Sequence, residues 1–248
     1  MGASEFLSNK IRFCLWFADT DPVQLNSDLN KMPQVKQRID NVRNFRLKSS
    51  KKSTQKKAET PHLFDENRQP PKGQNILIIP VVSSENRQYL PVGYISSDIV
   101  NYYANLMLSS ATPYHFGVLS SSMHNAFMRL TAGRLESRYR YSNTIVYNNF
   151  PYPFMADDHT DKAQKARESI AKAAQGVLDA REHYQDGSEN APTLAQLYNA
   201  YLIDPYPLLT KAHKALDKAV DSAYGYRGKG DDASRVEFLI KKIAELNT

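Results

Sequence analysis

A second cysteine is missing from these 248 residues, so Cys14 stands alone. A single thiol closes no intramolecular disulfide and leaves no Cys-based zinc site to complete, and a reducing compartment is expected. No run approaches the roughly 18 apolar residues of a membrane-crossing helix. The N-terminus also lacks a basic stretch leading into an apolar one, so nothing points to export. The expected location is cytoplasmic, without membrane contact.

The motifs of common chemistries are absent as well. A Rossmann-like cofactor loop follows a strand and needs three spaced glycines, whereas Gly228-Lys229-Gly230 follows a helical pattern and has no third glycine in register. His62, His115, His124, His159, His183 and His213 are scattered without metal-ligand spacing, and no H-E-x-x-H occurs. The serine-rich stretches SSEN and LSSSMH lack the G-x-S-x-G elbow of a hydrolase nucleophile and suit a helix cap or a phosphate contact better. Neither a metal site nor a catalytic constellation is expected.

What the sequence does have is an uneven charge. Residues 1–156 carry 19 Lys+Arg against 11 Asp+Glu, a net +8, while 157–248 carry 13 against 15, a net −2. Together with the length, this predicts two domains, 1–155 and 156–248. In the first, 11–17, 75–82, 88–95 and 144–150 are short, rich in β-branched or aromatic residues and bounded by turn formers, which predicts strands. Helices are expected from Pro33 through Phe45, over the series Ile99, Tyr102, Tyr103 and Leu106, and from Ser121 or Ser122 to a stop at Gly133. The second domain reads as nearly all helix: 161–184, 194–201, 206–224 and 233–246, broken at QDGSENAP, DPYP and GYRGKGDD. The fold class is α+β, a mixed α/β domain followed by a small all-helical one.

Two basic features point to nucleic acid. Residues 31–57 hold ten Lys+Arg, among them Arg43, Arg46, Lys48, Lys51 and Lys52, against the single acid Asp40. Cations that neutralise phosphates release counterions and supply much of DNA affinity. The plainer alternative is a solvated helix face, with KSSKKSTQKK (48–57) as a mobile loop. Further on, AGRLESRYRYSNTIVYNNFPYP places Arg134, Glu136, Arg138 and Arg140 at alternate positions, which in an extended segment share one face. A purely phosphate-binding face has no use for Glu136. A base-reading face does, because Arg can donate to guanine while Glu accepts from cytosine N4, so the pair suits one C·G pair. The plainer alternative here is a surface salt bridge between neighbours, worth little.

GASEFLSNKIRFCLWF, IIPVVSSENRQYLPVGYI, YHFGVLSSSMHNAFMR, GRLESRYRYSNTIVYNNFPYP and LDKAVDSAYGY, in this order, resemble the C-terminal portion of MmeI-like type IIL restriction-modification enzymes. In that family one polypeptide joins a nuclease, an N6-adenine methyltransferase using S-adenosylmethionine, a target recognition domain and a helical C-terminal domain. The resemblance covers the last two only. It implies that Glu136 and Arg138 contact one base pair of the target, a place where Lys with Asp is an alternative combination. Arg134 and Arg140 are implied as phosphate or structural contacts. Ser84, Glu85 and Arg87 fall in a matching block, with DNA contact and bracing both open.

The Asn-Pro-Pro-Tyr type motif that holds a flipped adenine and the nuclease acids are absent, and Tyr147-Asn148-Asn149-Phe150-Pro151 is no substitute. The chain is therefore expected to be non-catalytic, with no cofactor of its own; S-adenosylmethionine and Mg belong to the full-length enzyme. Its abrupt start suggests an excised fragment or a truncated or split reading frame. The expected partners are double-stranded DNA and a methyltransferase and nuclease part on the same or a split polypeptide. The alternative is a protein-interaction scaffold that docks a methyltransferase and binds nucleic acid without sequence preference.

Overall fold

The computed structural model describes residues 1–102, 104–199 and 205–246. The chain packs as two compact units, one of residues 1–11 and 70–248, the other of residues 12–69. The first unit opens with α1 (Ala3–Leu7).

The second unit holds α2 (Pro22–Leu29), α3 (Pro33–Leu47), α4 (Lys52–Lys56) and a 3₁₀ turn at Lys57–Glu59. Asp21 starts α2 by accepting from the Val23 and Gln24 N–H groups at 3.0 and 2.9 Å, which satisfies donors that the helix itself leaves open. Leu25, Ile39 and Ala58 are buried in this unit. The helix expected from Pro33 is present. Two sequence expectations need correction here. The strand over 11–17 does not form, because β propensity is expressed only against a partner and no ladder reaches this segment among the described residues. The expected loop at 48–57 is instead largely α4 and the start of the 3₁₀ turn.

In the first unit, β1 (Asn75–Pro80) is the central strand of an antiparallel sheet, between β3 (Gly93–Ser96) and β4 (Asn105–Ser109). Successive side chains of a strand point to opposite faces, and both sets are apolar in β1. Leu77 and Ile79 enter the main core, whereas Ile76 and Ile78 meet Ile95 in a smaller cluster. A second sheet has the order β2 (Val82–Ser83), β6 (Arg138–Arg140), β5 (Gly133–Leu135).

The helix expected across Ile99–Leu106 is replaced by the turn into β4; Tyr103 lies outside the described residues. The apolar spacing there is helical, but β1 needs a second ladder partner and β4 supplies it, with Leu77 opposite Leu108 and Ile79 opposite Leu106. Only the end of the expected 88–95 strand pairs, as β3. The expected strand over 144–150 is a single π-type turn at Asn143–Tyr147. Asn149 Nδ2 donates to the Thr144 and Ile145 carbonyls at 2.7 and 3.0 Å, so side-chain bonding competes with a ladder at this point.

Helices α5 (Pro113–Ser120) and α6 (Ser122–Thr131) follow β4, the first of them unanticipated. Ser121 caps α6 by accepting from His124 N–H, and the helix stops at Thr131, ahead of the expected Gly133, with Leu130 exposed. Beyond them come α7 (Asp161–Tyr184), α8 (Leu194–Leu197), α9 (Pro207–Tyr224) and α10 (Asp232–Leu246), close to expectation; Tyr201 is outside the described residues. Gly225, at φ +69°, ends α9 in the left-handed region, with Tyr226 N–H on Asp221 O and Gly225 N–H on Ser222 O. One core runs from β1 through Phe116, Leu119 and Met123 to Ile170, Leu216 and Leu239. The helices after residue 160 therefore share their packing with residues 70–155. At Gly117 a Cβ would lie 2.7 Å from Ile170 Cγ2 and 3.1 Å from Ala174 Cβ, so α5 meets α7 at a separation only glycine allows. The α+β class is as expected.

Candidate nucleic-acid interface

β5 and β6 form a hairpin with Glu136 and Ser137 at its tip, and Leu135, Arg134 and Gly133 opposite Arg138, Tyr139 and Arg140. Glu136 has φ +57°, the left-handed conformation that hairpin turns of two residues use to match strand twist. For a non-glycine residue this is a strained choice, and such choices cluster at functional sites. The turn also corrects the expectation of one charged face. Register partners share a face, so Arg134 lies on the side of Tyr139, whereas Arg138 and Arg140 lie on the other.

Arg134 stacks 3.8 Å from the Tyr139 ring centroid and donates to Ser137 O at 2.9 Å, which fits bracing of the hairpin. Tyr139 is buried. Arg138 donates to Glu136 Oε2 at 2.6 Å, with the two side chains 46% and 77% exposed. A pair so open to water contributes roughly 0–1 kcal/mol to stability, far too little to explain a strained backbone at its centre. Arg140 is exposed, opposite Gly133 on one side and Val82 on the other.

Strand β2 brings Ser84, Glu85 and Arg87 beside this hairpin, a juxtaposition the sequence left open. Glu85 is held below its usual carboxylate range by a bond to its own backbone N–H, then by one to Ser137, with Arg134 and Arg138 close by. Ser84 Oγ accepts from Asn86 N–H at 3.3 Å and shapes the loop. Half-buried Arg87 leans on Ser83 Oγ at 3.4 Å, and burial lowers its pKa. Charges of both signs, Glu85, Arg134, Glu136 and Arg138, thus gather about the hairpin.

The stem is fixed by residues that sequence reasoning did not single out for this role. His124 Nδ1 lies 3.0 Å from Leu119 O and Nε2 lies 3.0 Å from the hydroxyl of Tyr141, the residue after β6. Asn125 Oδ1 accepts from Leu90 N–H at 2.7 Å. No local pattern signals these bonds.

In the unit of residues 12–69, Arg43, Lys48, Lys51 and Lys52 are exposed along α3 and at the start of α4. Arg46 is committed differently. Its guanidinium donates to the carbonyls of Lys57, Thr60 and Leu63 at 2.7, 3.0 and 2.9 Å, and so ties the following turns to α3. Among the described residues no group of three or more His, Cys, Asp or Glu could hold a metal, and no helix is long and apolar enough to cross a membrane.

A charged hairpin tip on a helix-backed sheet defines a recognition module in outline, and comparison with known proteins specifies it. Residues 1–154 match the family model described as MmeI, target recognition domain, and residues 161–248 match MmeI, C-terminal domain. The chain belongs to the MmeI family. It is 33% identical over 247 residues to DNA methyltransferase A of Bacillus subtilis (strain 168), spanning 99% of this chain and 26% of that protein. The solved structure of the type IIL restriction-modification enzyme MmeI in complex with DNA superposes with a TM-score of 0.87 at 40% identity, covering all of this chain and 30% of that one. The chain thus spans between a quarter and a third of the length of these relatives.

Proposed function

We propose that this chain binds duplex DNA in a sequence-specific way and presents a target adenine to a methyltransferase and a nuclease carried elsewhere, without catalysis of its own. The observation that carries this reading is the exposed Glu136–Arg138 pair on a strained hairpin tip, where an acceptor and a donor project side by side. Glu136 accepts from cytosine N4 and Arg138 donates to guanine O6 and N7 of one pair in the major groove. Arg43, Lys48, Lys51 and Lys52 hold phosphates, a role that fits their exposure, and so does the exposed Arg140 on β6. The division at 155/156 is then one of roles, with residues 1–155 meeting DNA.

S-adenosylmethionine and Mg belong to the remainder of an enzyme like its relatives. The residues here do not fit either group: Gly228-Lys229-Gly230 follows a helix, and the acids described do not gather. The purified chain should transfer no methyl group when given both.

Selection of bound sequences from random duplexes, repeated at two salt concentrations, tests the reading. A defined motif with a C·G pair supports it. Charge-driven binding without preference would favour the alternative, a scaffold that docks a methyltransferase and holds nucleic acid nonspecifically.

A further inference from the structure

We infer that Asp217 and Asp232, both in the C-terminal helices, are positioning residues for base reading: they hold α6 at its two ends, and α6 sets the hairpin that carries Glu136 and Arg138. The inference rests on the reading that this hairpin meets base edges.

The first grip is at the start of α6. Asp217, on α9, accepts from the Ser122 backbone N–H at 2.6 Å and the Ser122 hydroxyl at 2.7 Å. A carboxylate here satisfies a donor that the first turn leaves open and complements the positive end of the helix dipole. The same carboxylate accepts from Tyr89 Oη at 2.7 Å, so it joins the segment after Ser84–Arg87 to the same helix. The second grip is in the last turn. Arg129 Nε and Nη2 donate to the two oxygens of Asp232, the first residue of α10, at 2.6 and 3.2 Å, and Nη1 donates to Gln88 O at 3.1 Å.

Both legs of the hairpin rise from the helix so held. β5 begins at Gly133, immediately after the Ala132 cap of α6, and β6 leads into Tyr141, which is bonded to His124 in the first turn of α6. A strand of this length reaches about 10 Å, so a tilt of only about 6° at the base moves the tip by about 1 Å. Base recognition needs its groups held to about 0.5 Å, half that displacement. Loosening either carboxylate therefore blurs the reading pair without touching a phosphate contact.

The experiment uses the full chain with Asp217→Ala, Asp217→Asn and Asp232→Ala, and Glu237→Gln as a control for lost negative charge at an exposed ion pair on α10. Affinity is measured for the duplex selected by the unmodified chain and for a scrambled duplex, across a salt series. The two alanine variants should each lose about tenfold in preference for the selected duplex, with the salt slope on scrambled DNA unchanged. Asp217→Asn, which keeps an acceptor for Ser122 N–H, should recover part of the loss, and Glu237→Gln should lose none. A lowered thermal midpoint with full preference in folded variants would make both residues merely structural and overturn the inference. Should Asp217→Ala fail to fold, Asp232→Ala decides alone, since its ion pair lies at the surface. An unmodified chain with no preferred sequence would bring down the functional reading and this inference with it; retained preference in the variants brings down this inference only.

Discussion

Tyr141 donates its phenolic hydrogen to His124 Nε2 at 3.0 Å, because the other ring nitrogen of His124 is engaged in donating to Leu119 O. This contact fixes the stem of the hairpin to a fully buried, neutral imidazole.

Burial lowers the His124 pKa from 6.5 to about 4. The unfolded chain therefore binds more protons than the folded one in that window, and stability should fall as pH drops from about 6.5 towards 4. The loss from this residue is on the order of 3 kcal/mol. His213, also buried and shifted downwards, contributes with the same sign. Thermal midpoints at several pH values should show the fall in the unmodified chain and a shallower one in His124→Gln; equal slopes would exclude the assignment.

Exchanging the reading pair should exchange the base pair. Glu136→Lys with Arg138→Asp turns acceptor into donor and donor into acceptor, so the preferred duplex should change from C·G to G·C at one position. Each single variant should lose about 1–3 kcal/mol of discrimination there. Because the native pair is exposed, stability should hardly move in any of the three. A binding-site selection in a complete methyltransferase context reads the result, and an unchanged motif from a folded double variant would leave these residues without a reading role.

Arg46 and its basic neighbours should part company. Lys51→Gln and Lys52→Gln should weaken binding evenly across sequences and each reduce the salt slope by about one. Arg46→Gln should instead destabilise residues 12–69, because three carbonyl contacts go with the guanidinium. Protease sensitivity of that unit, followed alongside affinity, separates the two outcomes.

Gly117→Ala should cost about 1–3 kcal/mol, the usual penalty for overfilling a packed core. The added methyl meets Ile170, Ala174 and Leu216 on two helices that face α5. A thermal midpoint lowered by several degrees is expected; an unchanged one would mean that α5 can back away from α7.

The sequence showed the later helices best, because their apolar spacing coincides with burial: Leu209, Leu216 and Val220 are buried on α9, although Leu208 at its start is 47% exposed. Strands were harder to see. The 11–17 segment has strand-forming residues but no ladder reaches it among the described residues, and the helical series ending at Leu106 runs into β4, which pairs with β1, since pairing depends on residues far away in sequence. At the hairpin the charged residues were visible but the turn was not, since Glu136-Ser137 contains neither glycine nor asparagine to announce a left-handed conformation. The grip of Asp217 on Ser122, across 95 positions, leaves no local trace at all.

Residues 12–69 are an insertion in sequence between the two stretches, 1–11 and 70–248, that make up the other unit. Such an insertion can change length at low cost, since closing a longer loop costs little more than closing a shorter one. The hairpin has no such freedom, being rooted in the main core. On the proposed function, the strength with which a chain of this kind holds phosphate and the sequence it distinguishes would drift over evolutionary time as separate traits, the first by rewriting an insert and the second by substitutions at a few tip positions.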